Sequence, residues 1–157
     1  FGHPEWIDFP REGNGWSYDH ARRQWSLRDS KELRYSFLAD FDREMVHMVR
    51  RYGILTDGYP YNLLMDEHNM TIAFAHGDLV FVFNWHPTAS IPDYELPVRR
   101  EGCYVPLMST DEERFGGLAR QAMDDRHFSF PAGEDAQPHI KIYNTSRTAL
   151  VLRRCDE

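Results

Sequence analysis

The chain has 157 residues, a formal net charge of −7 and a pI of about 5.6. That length suits one ordinary domain with appendages, and it is long enough to bury a real core. The acidic balance argues against nucleic acid and anionic membrane as partners, because phosphate binding needs a positive surface. No run approaches the ~20 apolar residues that a membrane-spanning helix requires.

Residues 1–27 show no sustained periodicity. Pro4, Pro10, Gly13 and Gly15 are mixed with charge and aromatics, which predicts a long loop with one short helical turn over residues 18–24. Trp6 and Trp16 account for half of the 4 tryptophans, and aromatic residues make up 14% of the chain. Such side chains offer a broad apolar face with a polar edge, which suits packing and also suits the C–H side of a sugar ring. The first residues have neither the basic start nor the apolar run of a signal peptide. The chain does not begin with Met, so a preceding segment is expected.

Asp29 or Ser30 is the natural N-cap of the next element. Leu33, Phe37, Phe41 and Met45 follow at helical spacing, with Tyr35, Leu38, Val46 and Val49 beside them. Arg50 and Arg51 suit the negative end of a helix dipole, and Gly53 suits a left-handed stop. This pattern predicts an amphipathic helix over residues 30–52. Its apolar stripe is wide enough to need a large cover. If the Phe37 ring is fully buried, Phe37→Ala should cost about 3–5 kcal/mol.

After Gly58 and Pro60 the period changes to that of strands. Residues 61–65, 71–75 and 79–83 are rich in strand formers. His76, Gly77 and Asp78 make a hairpin, and the third run is apolar at every position, as a strand buried on both faces would be. Residues 94–99 and 103–108 read as a second pair, and residues 140–143 and 148–152 as a third. Residues 111–137 form a long excursion between strands. The expected fold is mainly β, an antiparallel sandwich preceded by a long loop and one amphipathic helix.

Chemistry is harder to find. Glu5 and Asp8 lie three residues apart with Glu12 beyond, and ordinary loop acids explain them. The Asp124–His127 cluster lacks metal-ligand spacing, so no metal and no cofactor are expected. No nucleophile motif or phosphate loop is present. Cys103 and Cys155, far apart and without motif spacing, read as reduced thiols of a cytoplasmic protein.

One resemblance extends this reading. The run Phe1-Gly-His-Pro-Glu-Trp-Ile-Asp-Phe-Pro-Arg-Glu-Gly-Asn-Gly-Trp-Ser-Tyr18 and the run Ala21-Arg-Arg-Gln-Trp-Ser-Leu27 closely resemble a segment of glycogen and starch branching enzymes. Gly77-Asp-Leu-Val-Phe-Val-Phe-Asn-Trp-His-Pro87 resembles a strand of their C-terminal domain. These enzymes belong to the α-amylase superfamily.

The resemblance implies that residues 1–57 are the end of a catalytic (β/α)8 barrel, its last loop and helix. Residues 58–157 would be the C-terminal all-β sandwich. The implied parent cleaves α-1,4 glucan chains and transfers them to a 6-hydroxyl, forming α-1,6 branches in glycogen biosynthesis. The parent's catalytic carboxylates map to no residue of this chain. The piece itself would be structural or substrate-positioning, with Trp6, Trp16 and Tyr18 stacking on α-glucan and Glu5, Asp8 and Arg11 meeting its hydroxyls. It would pack on the barrel, and without it copies would self-associate. The alternative is a stand-alone, non-catalytic carbohydrate-binding module.

Overall fold

The computed structural model describes residues 2, 8–19, 21–133 and 136–155. Helices α1 (Trp25–Asp29) and α2 (Tyr35–Arg51) come first. The strands follow in the order β1 (Tyr61–Asp66), β2 (Thr71–His76), β3 (Leu79–Asn84), β4 (Ile91–Pro97), β5 (Cys103–Ser109), β6 (His127–Phe128), β7 (Phe130–Ala132), β8 (Gln137–Asn144) and β9 (Thr148–Cys155). They form a six-stranded sheet, β1-β2-β3-β9-β5-β6, and a three-stranded sheet, β4-β8-β7. Every pairing is antiparallel.

Helix α2 stops where its sequence says it should. Gly53 takes φ 60°, its N–H donates to Arg50 O at 3.4 Å, and Ile54 N–H donates to Val49 O at 3.1 Å. These are the two crossed bonds of a Schellman end, which satisfy carbonyls the helix leaves open. The start differs from the expectation. Ser30 is extended (φ −67°, ψ 126°) and closes the short α1 instead of capping α2. Residues 31–34 turn, and α2 begins at Tyr35 after Arg34, which makes no side-chain cap.

The expected helical turn at residues 18–24 also moves. Glu12–Asn14 forms a 3-10 turn and α1 forms after Gln24, while Ala21 N–H donates to Tyr18 O at 3.0 Å.

The core lies between the two sheets. Ala73, Val80, Val82, Leu150 and Leu152 of the large sheet meet Tyr94, Leu96, Ile140 and Ile142 of the small one. Leu96 and Ile140 are completely buried. Each such side chain contributes roughly 1.5–3 kcal/mol relative to leaving it in water. The opposite face of the large sheet carries Leu79, Phe81, Met108 and Val151, against which Phe41, Met48 and Tyr52 of the α2 region pack. Strand β3 is therefore covered on both sides, which explains its unbroken apolar run.

Strand pairing corrects two sequence expectations. β4 and β5 are consecutive but do not pair; β4 pairs with β8, and β5 pairs with β9 and β6. β8 and β9 likewise lie in different sheets. A turn signal marks where a chain reverses. It does not say whether the chain returns along its own sheet or arches over to the facing one.

Buried polar groups close the ends of the sandwich. Asn84 Nδ2 donates to Asn144 O at 3.2 Å and Asn144 Nδ2 donates to Thr71 Oγ1 at 2.9 Å. The excursion after β5 folds over Asp111, whose carboxylate accepts Arg120 Nη2–H at 2.8 Å and Arg120 N–H at 2.7 Å. A Cβ at Gly117 would lie 2.2 Å from the Asp111 carbonyl carbon, so only glycine lets the chain pass there.

Candidate functional site

The loop before α1 holds the described candidates. Asp8 sits at its centre. Its two carboxylate oxygens accept Arg11 Nε–H at 3.0 Å and Arg11 Nη2–H at 3.2 Å, a bidentate pair. Asn14 Nδ2 donates to Asp8 Oδ2 at 3.1 Å and to Phe9 O at 3.0 Å. Asn14 Oδ1 in turn accepts Arg11 N–H at 2.9 Å. The Asp8 hydrogen bond raises the Arg11 pKa above its ordinary value.

This knot sets the path of the chain. Gly15 and Trp16 both take left-handed backbone angles, φ 62° and 59°. Trp16 N–H returns to Arg11 O at 3.0 Å. A left-handed tryptophan is uncommon and holds only where its surroundings over-determine it. The outcome is an indole that is 66% exposed, followed by Tyr18 at 65%.

The structure thus brings Asp8 and Arg11 together and leaves Trp16 and Tyr18 facing solvent. Glu5 and Trp6 lie outside the described residues. The Asp8 carboxylate is held through both oxygens by the Arg11 guanidinium, which favours its ionised form over that of a proton donor. Among the described residues, no three His, Cys, Asp or Glu side chains are grouped to hold a metal ion.

Behind the loop, α1 is tied to α2 by shared charge. Arg28 Nη2–H and Arg43 Nη2–H both donate to Asp40 Oδ1 at 2.8 Å. A shallow cleft of about 280 Å³ lies there, lined by Arg23, Trp25, Arg28, Ala39, Asp42 and Arg43.

A second aromatic feature was not singled out from sequence. Phe81, Phe74, Phe83 and Trp85 form a row of near-parallel rings with centroid separations of 4.8, 5.9 and 5.4 Å. The row runs from buried Phe81 to Trp85, which is 58% exposed. Its signal was present: Phe81, Phe83 and Trp85 alternate along β3 and its extension, so they share a face. The flanking apolar residues made that period hard to see.

No helix among the described residues is long and apolar enough to cross a membrane.

Residues 61–155 match the family described as "Alpha amylase, C-terminal all-beta domain". The 1,4-alpha-glucan-branching enzyme of Solanum tuberosum is 46% identical over 142 residues, covering 90% of this chain and 16% of its own length. That of Rhizophagus irregularis is 41% identical over 156 residues, covering 99% and 23%. The chloroplastic/amyloplastic enzyme of Oryza sativa subsp. japonica is 40% identical over 166 residues, covering 100% and 20%. The chain therefore spans only 16–23% of the length of these relatives. The matched span is more than half of the chain and carries all nine described strands, and the chain belongs to the alpha-amylase C-terminal all-beta domain family.

Proposed function

We propose that this chain is the C-terminal part of a 1,4-alpha-glucan-branching enzyme. The parent cleaves α-1,4 glucan chains and transfers them to a 6-hydroxyl, making the α-1,6 branches of glycogen. The observation that carries this reading is the shared name of relatives that align with 90–100% of the chain. Retaining glycosyl transfer needs two carboxyl groups about 5 Å apart. In this reading those groups lie in the preceding part of the parent, and the transfer needs no cofactor.

Residues 1–57 then close the catalytic barrel, and residues 58–157 form the sandwich. Two observations support this division: the family match starts at residue 61, and α2 leaves Leu38, Met45 and Val46 36–50% exposed although Phe41 and Met48 of the same helix pack on the sheet. Those residues and the Phe83–Trp85 end of the ring row are the surface that the barrel covers.

The loop's role is to hold substrate. Trp16 and Tyr18, with Trp6, stack on glucose rings. Asp8 first orders Arg11, whose side chain is 62% exposed and offers its remaining N–H groups, with Glu5, to glucan hydroxyls. The two free cysteines suit a cytoplasmic parent.

The test is direct. The full-length parent and this chain are each incubated with amylose, and new α-1,6 linkages are counted. The parent is expected to branch and the chain alone to be inert. Hydrolysis by the parent without new linkages would exclude the reading.

A further inference from the structure

Cys103 and Cys155 are 52 positions apart in sequence (155 − 103), yet they are Cα partners, at the start of β5 and the end of β9. Directly opposed residues of an antiparallel pair lie about 4.5–5.5 Å apart at Cα, with side chains on the same face. A disulfide spans Cα separations of about 4.4–6.8 Å. Both thiols are free. Register alone has therefore set the two Cα positions within the separation that a disulfide spans.

Their environments differ in a useful way. Cys155 is half-buried at the end of its strand, and Cys103 is 5% exposed, with Phe128 of β6 as its other cross-strand partner. One thiol can meet a reagent; the other is shielded but adjacent.

We infer that Cys103 and Cys155 form a redox site that closes to a disulfide when it meets a small disulfide oxidant such as oxidised glutathione. The inference is independent of the branching reading. The Cys155 thiolate attacks one sulfur of the oxidant, giving a mixed disulfide and releasing one glutathione thiolate, which takes up a proton. Cys103 then loses its proton to solvent and attacks Cys155 Sγ, forming the Cys103–Cys155 bond and expelling the second glutathione thiolate. The protein loses two electrons and two protons, and the oxidant becomes two thiols. Exchange proceeds through such a mixed disulfide, and access decides which sulfur acts first. The bond clamps the last rung of the β5–β9 ladder and closes a long loop, which raises stability mainly by restricting the unfolded chain.

The experiment treats the reduced chain with oxidised glutathione, then reads intact mass, a non-reducing peptide map and Tm. The wild type is expected to lose the mass of two hydrogens, to yield a Cys103–Cys155 cross-linked peptide, and to melt several degrees higher. Cys155→Ser should form neither the cross-link nor the Tm rise, while keeping the reduced protein's melting point. Cys103→Ala should stop at a stable glutathione adduct on Cys155. A wild type that remains a dithiol, keeps the adduct on Cys155, or links only between molecules would overturn the inference.

Discussion

Asp111 is a carboxylate only 4% exposed, beside an Arg120 side chain that is 27% exposed. Burial pushes its pKa up. The hydrogen bonds from the Arg120 side chain and from the backbone N–H groups of Arg120 and Leu118 outweigh that, and the net shift is below the ordinary 3.8. Asp66 is lowered too, chiefly by hydrogen bonds from Asn69, with the Tyr94 hydroxyl adding to them against burial. A carboxyl with a depressed folded pKa stabilises the fold above its unfolded pKa. That stability is lost as pH falls through the folded value. The chain should therefore lose stability below about pH 4 through these two groups. Arg120→Leu should cost about 2–4 kcal/mol at neutral pH, the lower side of what breaking a buried pair costs, because Arg120 is partly solvated. Urea melts at pH 7 and pH 3 test this. The variant's deficit should shrink at pH 3, and an equal deficit at both would show that lost packing, not the charge, was responsible.

Helix α2 packs on the sheet yet keeps apolar side chains exposed. Phe41 faces the sheet and meets Phe115 edge-on at 5.4 Å, while Leu38, one turn earlier at the edge of the same stripe, is 50% exposed. Phe37 lies against Gly116 and is only half-buried, so the full cost expected for a buried ring does not apply to it. Phe→Ala changes cost about 3–5 kcal/mol when the ring is fully buried, and roughly half of that for a half-buried ring. Phe41→Ala should thus destabilise this chain by about 2 kcal/mol, and Leu38→Ala by less than about 0.5 kcal/mol, as surface changes do. In the full-length parent Leu38→Ala should instead lower Tm by several degrees. Paired thermal melts of chain and parent read this contrast, and a neutral Leu38→Ala in both would remove the barrel from that face.

For the whole molecule, the exposed apolar surface has a consequence. Leu38, Met45, Val46 and Trp85 stay 36–58% exposed while the sandwich core is closed. Exposed apolar side chains mark an interaction site or an association liability where they join into one patch. Light scattering of the isolated chain is expected to show mass rising with concentration, and Leu38→Ser/Val46→Ser should reduce that rise. A chain that stays monomeric at high concentration would show that this surface is too scattered to pair.

Local patterns were enough to specify the helix and most of the strands. The stop at Gly53, the hairpin at Gly77 and Asp78, and the double burial of β3 all follow from backbone freedom and apolar period over a few residues. The start of α2 is not legible locally, because Ser30 can cap one helix or end another, and only the packing of α1 beside α2 selects between them. The same limit applied to the site. Residue type marked Trp16 and Tyr18 as candidate faces, but the bidentate hold of Asp8 on Arg11 depends on the turn between them. That β5 pairs with β9 and β4 with β8, and that Cys103 stands opposite Cys155, were decided by tertiary structure alone. Those contacts join residues distant along the chain, and only packing two sheets over one core brings such residues face to face.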